Sequence, residues 1–161
     1  IRASHRKPGF PGSHGGSSSA SIGAIWLTVD NQLGKIDIQE MMVHELAHHL
    51  LFIDELNHPQ FNYKSIAIQE NFALSAILKR QRPLDKVIHS IVVGTEILLA
   101  RKSYLPSTNR TIIHPNNSEL SKNTIEAIHS VFDLKNIHQL VTPHLLGIVE
   151  LCENVCKRQL Q

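Results

Sequence analysis

The chain has 161 residues, the size of one ordinary domain, with 42% hydrophobic and 19% charged residues. This balance supplies one apolar core and excludes an intrinsically disordered chain. The 16 basic and 14 acidic residues leave a net charge of +2, which gives no electrostatic basis for binding nucleic acid or an anionic membrane. The sequence also has no apolar stretch of the length that a membrane-spanning helix needs.

Two cysteines cannot form the disulfide framework of a small secreted domain, so the sequence predicts a reducing, cytoplasmic environment. Residues 1–16 are basic and rich in Gly and Pro, and they lack the apolar segment of a secretory signal. The notable excess is in histidine, with 11 residues. Histidine is the commonest metal ligand in proteins, so the question is whether any of these residues form one site.

The first predicted features are an N-terminal arm and the strand that follows it. Residues 1–21 are rich in Gly, Pro and Ser, which predicts a flexible or loop-like N-terminal arm ahead of a single domain over residues 22–161. Because residues 14–19 run directly into the strand, an ordered loop over a site is the alternative. The strand itself spans Ile22 to Val29, where β-branched and aromatic residues precede a turn at Asp30-Asn31.

Five helices follow in the prediction. The first begins at Asp37, an N-cap with Glu40 as its capping-box partner, and runs from Ile38 to Leu56. The later helices are predicted over Ser65–Lys79, Leu84–Lys102, Ser118–Val131 and Thr142–Arg158. The sequence therefore predicts a mainly α fold of the α+β type, with one or few strands near the first helix.

Residues 44–48 of that first helix read His-Glu-Leu-Ala-His, an HExxH motif. Residues i and i+4 of a helix share one face, with Cβ atoms about 5–6 Å apart, so His44 and His48 can bind one metal ion. Glu45 matches the general base of metallopeptidases with this motif, which predicts a zincin-like helical core. Apolar neighbours on both sides predict a partly buried helix. The adjacent His49 points elsewhere, and we expect it to be solvated or to support a ligand.

A catalytic metal needs a third protein ligand, and two residues compete for this role. Glu70 lies on the predicted second helix, on a face shared with apolar residues, so it points inward. It would complete either the His-His-Glu set of zinc peptidases or the facial triad of non-haem iron oxygenases, unless it pairs with Lys79 or Arg80. His89 lies on a polar ridge of the third helix, which predicts contact with a wet cavity or with solvent.

The segment after the motif carries a resemblance to a known family. About 40 residues beyond His44, Arg82-Pro83-Leu84 is followed by Val87-Ile88-His89. This combination resembles the HExxH proteins encoded with ribosomally made, modified peptides, which are regarded as iron(II)- and 2-oxoglutarate-dependent peptide β-hydroxylases. The serines at positions 17–19 and the Ile-Gly-Ala-Ile start of the strand are also similar to that family. The resemblance covers about residues 17–100.

This resemblance implies an assignment of residues and partners. His44, His48 and His89 would bind iron(II), and Arg82 would bind the distal carboxylate of 2-oxoglutarate. Glu45 would then orient a ligand or a metal-bound water, and the substrate would be a precursor peptide. The chain departs from the family at Ser90, where glycine is frequent. It also departs at residues 75–79, which read SAILK where an aromatic-Pro-Trp-Arg run is typical.

The sequence leaves three functions open. The leading hypothesis is the peptide hydroxylase with iron(II) and 2-oxoglutarate, for which His89 and Arg82 are essential. The alternative is a zinc metallopeptidase with Glu45 as general base and Glu70 as third ligand. The last is a metal-bound peptide-binding module without catalysis, in which replacing Glu45, Arg82 or His89 leaves binding of the partner intact.

The other histidines and the cysteines have simpler interpretations. His58 and His114 precede proline, which predicts turns, whereas surface positions are predicted for His129, His138 and His144. Two cysteines four residues apart on the last helix are predicted to be small buried apolar residues, Cys152 and Cys156.

Overall fold

The computed structural model describes residues 2–5, 15–29, 33–105 and 112–159. The helices are α1 (Lys35–Asn57), α2 (Tyr63–Ile66), α3 (Leu84–Ser103), α4 (Asn117–Phe132), α5 (Ile137–Leu140) and α6 (Pro143–Gln159). The strands are β1 (Arg2–His5), β2 (Gly15–Gly16), β3 (Trp26–Val29), β4 (Ala73–Leu74) and β5 (Gln81–Arg82). The predicted mainly α fold is confirmed. Within the described ranges, every helix is too short or too polar to cross a membrane.

The larger sheet has three strands and mixed pairing. Its central strand, β3, runs parallel to β1 and antiparallel to β2. Part of the predicted N-terminal arm is therefore paired within the sheet, whereas residues 6–14 lie outside the described residues. The predicted strand is shorter than expected, because a turn at residues 22–23, with Gly23 at φ 93°, follows the 3₁₀ turn over Ser19–Ser21 and delays the strand to Trp26. The Ser18 side chain caps the 3₁₀ turn by accepting a hydrogen bond from the Ala20 amide.

The central element of the core is α3, which packs against α1, α4 and α6. Ile88, Ile91 and Ile97 of α3 are fully buried. Gly94 allows α3 and α4 to approach, because a Cβ at this position would lie 2.6 Å from the Thr124 hydroxyl. The predicted bounds of the third, fourth and last helices agree with α3, α4 and α6 to within one or two residues. The third helix is predicted from its apolar period, and the last from the Thr142-Pro143 start signal.

The start of α1 differs from the prediction. The N-cap is Gly34, and the Asp37 carboxylate accepts the Gly34 N–H at 2.9 Å from the third helical position. Glu40 is consequently not a capping-box partner. Its side chain is 1% exposed and pairs with Arg101 of α3. The prediction identified a helix start but placed it three residues too late.

The predicted helix over Ser65–Lys79 is wrong. The chain there forms α2, a 3₁₀ turn over Gln69–Asn71 and the antiparallel β4–β5 hairpin. The physical reason is visible in the hydrogen bonds. The Leu74 N–H donates to the Ser130 hydroxyl of α4, and the Ala76 N–H donates to the Ser90 hydroxyl of α3. Side chains from distant helices thus satisfy amides that a helix would have bonded internally.

The two sides of α1 differ in burial. Met41, Ala47 and Leu51 are buried on the core side. Apolar residues of the opposite side are exposed by 39–75%, in a row formed by Met42, Leu46, Leu50, Ile53 and Leu56. The helix is therefore partly buried, as predicted, and the apolar neighbours of the motif are buried on one side only.

Candidate metal centre

A cavity of about 330 Å³ lies beside α1 and contains most of the predicted site residues. His44, Glu45 and His48 line it from α1, His89 lines it from α3, and Arg82 lines it from β5. A water molecule occupies about 30 Å³ in the liquid, so the cavity has the volume of roughly ten waters. That volume lies at the lower end of the range of small-molecule sites, about 300–1,000 Å³.

The His48 and His89 imidazoles are in hydrogen-bonding contact in the cavity. Their Nδ1 atoms are 2.8 Å apart, and their ring centroids are 5.1 Å apart. Two nitrogens that bind one ion at about 2.1 Å and at right angles lie about 3.0 Å apart. The observed separation therefore suits either a hydrogen bond or two neighbouring ligand positions of an octahedral ion.

His44 belongs to a second chain of polar contacts. Its Nδ1 is 3.0 Å from Nε2 of His114, and His114 Nδ1 is 3.1 Å from Oε2 of Glu40. Arg101 donates to both oxygens of the same carboxylate, from Nε at 2.7 Å and from Nη2 at 2.9 Å. The motif histidine is therefore connected through His114 to a buried ion pair between α1 and α3.

The direction of these hydrogen bonds assigns a role to each nitrogen of His44. An ionised carboxylate only accepts, so the contact to Glu40 requires a proton on His114 Nδ1. With its single proton on Nδ1, His114 accepts the proton of His44 Nδ1 at its Nε2. The lone pair of His44 is then on Nε2. A ligand imidazole that donates its other nitrogen to a polar partner is the usual arrangement at metal centres.

The three cavity histidines are in the neutral form that binds metal. Burial lowers the pKa of His44 to about 4, with a contribution from His114. Burial and the neighbouring His89 lower the pKa of His48 to about 3. Burial and Lys86 lower the pKa of His89 to about 4. At neutral pH, binding of a cation consequently displaces no proton from these rings.

Glu45 is 2% exposed and is held by the N-terminal segment. The Ser17 hydroxyl donates to Glu45 Oε2 at 2.7 Å. Burial raises the pKa of the Glu45 carboxyl, against the opposing effects of the Ser17 hydrogen bond and of His49. Gly15 completes this wall, because a Cβ there would lie 3.0 Å from Glu45 Oε1 and 2.5 Å from Met41 Cε. The ordered loop that was the alternative prediction for residues 14–19 thus agrees with the structure at Gly15–Ser17.

Arg82 and Lys86 make the far rim of the cavity cationic. Arg82 is half-buried, and burial together with Arg80 lowers the pKa of its guanidinium. Ser90 fixes the shape of this rim, since its hydroxyl accepts the Ala76 N–H at 3.0 Å and donates to a carbonyl of α3. The serine that departs from the family pattern therefore has a structural role in this chain.

Glu70 is not part of the cavity. It is exposed in the 3₁₀ turn over Gln69–Asn71, because the helix that was expected to turn it inward does not form. His89 was predicted to face a wet cavity or solvent, and it is 7% exposed inside the cavity. His49 is not solvated: it is 4% exposed, and its Nε2 lies 3.2 Å from the Ala24 carbonyl oxygen.

The ring nitrogens of His44, His48 and His89 do not all lie within 4.8 Å of one another. Among the described residues, the group that brings three ligand atoms so close is Asp54, His58 and His144. One ion bound by all three cavity histidines therefore requires rotation of at least one ring.

His114 is the residue that sequence reasoning missed. It precedes a proline, as the turn interpretation noted, but its side chain is 3% exposed and adjoins the site. No local signal could have revealed this, since 70 residues separate it from His44. The surface positions predicted for His129, His138 and His144 are confirmed, as is the burial of Cys152 and Cys156.

Comparison with protein-family models, curated proteins and solved structures finds no match for this chain. The resemblance to peptide hydroxylases consequently rests on the motifs of residues 17–100 alone.

Proposed function

We propose that this protein is an iron(II)- and 2-oxoglutarate-dependent oxygenase that hydroxylates a β-carbon of a ribosomally made peptide. The observation that carries the proposal is the composition of one cavity. His89 and Arg82, the two residues that the hydroxylase hypothesis requires, line the same cavity as His44 and His48, whereas Glu70 does not. A zincin-like core and a cytoplasmic location belong to the same proposal.

The donor set fits a catalytic metal that keeps open coordination positions. Three imidazoles suit iron(II) and equally zinc, and they leave room for exchangeable ligands. In the proposed assignment His44, His48 and His89 hold the ion, and the chain through His114 to Glu40 orients His44. Bound iron(II) supplies oxygen activation, so that peptide C–H, dioxygen and 2-oxoglutarate give peptide C–OH, succinate and carbon dioxide.

The remaining cavity residues have roles in binding and orientation. Arg82 would grip the distal carboxylate of 2-oxoglutarate, because a guanidinium stays charged and can form two parallel hydrogen bonds with a carboxylate. Lys86 adds positive charge at the same rim. Glu45, held by Ser17, would accept a hydrogen bond from a metal-bound water or ligand. The peptide would enter from the open side of the cavity.

The first test is anaerobic addition of iron(II) and 2-oxoglutarate to the purified protein. We expect one iron per chain and a visible metal-to-ligand charge-transfer band that needs both additions. His89→Ala should lose the iron, and Glu70→Ala is the control that should keep iron and band. Bound iron without a band on adding 2-oxoglutarate would refute the hydroxylase, and loss of metal in Glu70→Ala alone would refute His89 as third ligand.

The second test concerns the co-substrate and uses two arginines of one segment. A charge-assisted bidentate pair is worth about 1.5–3 kcal/mol, so Arg82→Ala should weaken 2-oxoglutarate binding roughly 10- to 100-fold. The matched control is Arg80→Ala, because Arg80 is exposed and does not line the cavity. Titration of the band measures both affinities, and equal affinities in the two variants would remove Arg82 from the assignment.

A zinc metallopeptidase is the second candidate, and the position of Glu45 favours it. This carboxylate lines the cavity next to the motif histidines, where a general base would be needed. The third ligand would then be His89 rather than Glu70. The variant Glu45→Gln distinguishes the two functions. A peptidase would lose zinc-dependent peptide cleavage, whereas an oxygenase would keep its bound iron and its charge-transfer band. The partner-binding module without catalysis has no specific observation in its favour.

A further inference from the structure

A second group of metal-binding side chains lies at the far end of α1. Asp54 is in the last turn of α1, His58 directly follows the helix, and His144 is in the first turn of α6. One ligand atom from each residue lies within 4.8 Å of the others. His144 Nε2 is 3.1 Å from both carboxylate oxygens of Asp54, and the two imidazole centroids are 4.4 Å apart.

The carboxylate in this group is held from below by a buried amide. Gln60 is 1% exposed, and its Nε2 donates to Asp54 Oδ2 at 2.9 Å and to the Leu51 carbonyl at 3.2 Å. The outward position of Asp54 is therefore determined by the core rather than by solvent. A surface carboxylate that merely pairs with one histidine needs no such support.

The backbone also fixes the two halves of the group relative to each other. Phe61 and Val141 form an antiparallel bridge. The Thr142 N–H donates to the Gln60 carbonyl at 3.1 Å, and the Asn62 N–H donates to the Leu140 carbonyl at 2.9 Å. The chain after His58 is thus bonded to the chain just before His144, which keeps both imidazoles on the same side.

We propose that Asp54, His58 and His144 bind one zinc ion at the surface, with water in the fourth position. Two imidazoles and one carboxylate are a usual three-residue zinc set, and tetrahedral ligands at 2.0–2.1 Å lie about 3.3 Å apart. The separations above are within reach of small side-chain rotations. Both imidazoles are exposed, so the ion can enter from solvent and one position remains open. The bound ion links the end of α1 to the start of α6.

This site is separate from the cavity and does not depend on the proposed function. The test therefore uses a parent variant, His44→Ala with His48→Ala, in which the cavity has lost both motif ligands. Zinc is titrated against a competing chelator, and thermal unfolding is followed with and without zinc. We expect one zinc per chain in this parent, and a zinc-dependent rise in Tm of roughly 5–10 °C at a zinc concentration 100-fold above Kd.

The decisive variants change one exposed histidine each. His58→Ala and His144→Ala in the parent should abolish both the bound zinc and the rise in Tm. The matched control is His138→Ala, which removes an exposed histidine outside the group, on α5. It should change neither the bound zinc nor the rise in Tm. Because these side chains are at the surface, all three variants should unfold near the parent Tm without zinc. Absence of zinc from the parent, or equal zinc in His58→Ala and His138→Ala, would overturn the proposal.

Discussion

The buried ion pair between Glu40 and Arg101 leads to a sharp stability prediction. Glu40 is 1% exposed and Arg101 is 9% exposed, and two hydrogen bonds of 2.7 and 2.9 Å join them. Burial alone would raise the pKa of Glu40, but the hydrogen bonds from His114 and Arg101 hold it below its usual value. The carboxylate is thus charged in the core at neutral pH, and its charge depends on the hydrogen bonds from His114 and Arg101.

Arg101→Met removes the charge while keeping the apolar stem. Two unit charges about 4 Å apart attract by about 4 kcal/mol at an effective dielectric constant of 20, and breaking buried pairs costs about 3–5 kcal/mol. We expect a loss of this size in the free energy of unfolding, or a fall in Tm of roughly 6–20 °C. Arg101 also donates to the Pro115 carbonyl and to Asn117, so we expect the loss to lie at the upper end of this range.

The control for the cost of an unpaired buried charge is the double variant Glu40→Gln plus Arg101→Met, measured by urea denaturation. Because both charged partners are then absent, much of the lost stability should return. The matched control for an exposed pair is Lys157→Met, which breaks an i,i+4 contact to Glu153 and should cost about 0.3–0.5 kcal/mol. If Arg101→Met costs no more than Lys157→Met, the reasoning about the buried charge is refuted.

Three further predictions concern the core. Ser90→Ala leaves the buried Ala76 N–H without its acceptor, so urea denaturation should show a loss of about 1–3 kcal/mol; no change would mean that the segment finds another acceptor. Gly94→Ala places a Cβ 2.6 Å from the Thr124 hydroxyl and should cost about 1–3 kcal/mol by calorimetry, a result that an unchanged Tm would contradict. Burial raises the pKa of the Cys152 thiol to about 11, so a thiol reagent at pH 8 should label it slowly in the native state and rapidly in denaturant. Equal labelling rates in the two conditions would contradict its burial.

Sequence patterns predicted those parts of the fold that are governed by local periodicity. The apolar repeat of α3 and the HExxH spacing on α1 each involve residues within a few turns of one helix. Both helices were correctly predicted to form. The segment over Ser65–Lys79 was also predicted to be helical, yet hydroxyl groups from α3 and α4 bind its amides. A short stretch of sequence carries no signal of hydrogen bonds that distant side chains will make to its amides.

The candidate site also contains residues that local sequence predicts and residues that only the tertiary fold reveals. His44 and His48 were assigned from spacing, and His89 and Arg82 needed a resemblance to be chosen over Glu70. His114 could not be found either way, because only the tertiary fold brings it to His44. Apolar residues on both sides of α1 also made it impossible to say from periodicity which side faces the core.

The glycine strand β2 constrains how the specificity of this cavity can change. A side chain at Gly15 would collide with Met41 and Glu45, and one at Gly16 would collide with the Trp26 ring. New contacting groups therefore cannot be introduced on that wall without displacing its neighbours. The opposite rim carries Leu78, which is exposed and open to substitution. Changes in the shape of the cavity, by evolution or by directed mutagenesis, would meet less resistance at that exposed rim than at the glycine wall.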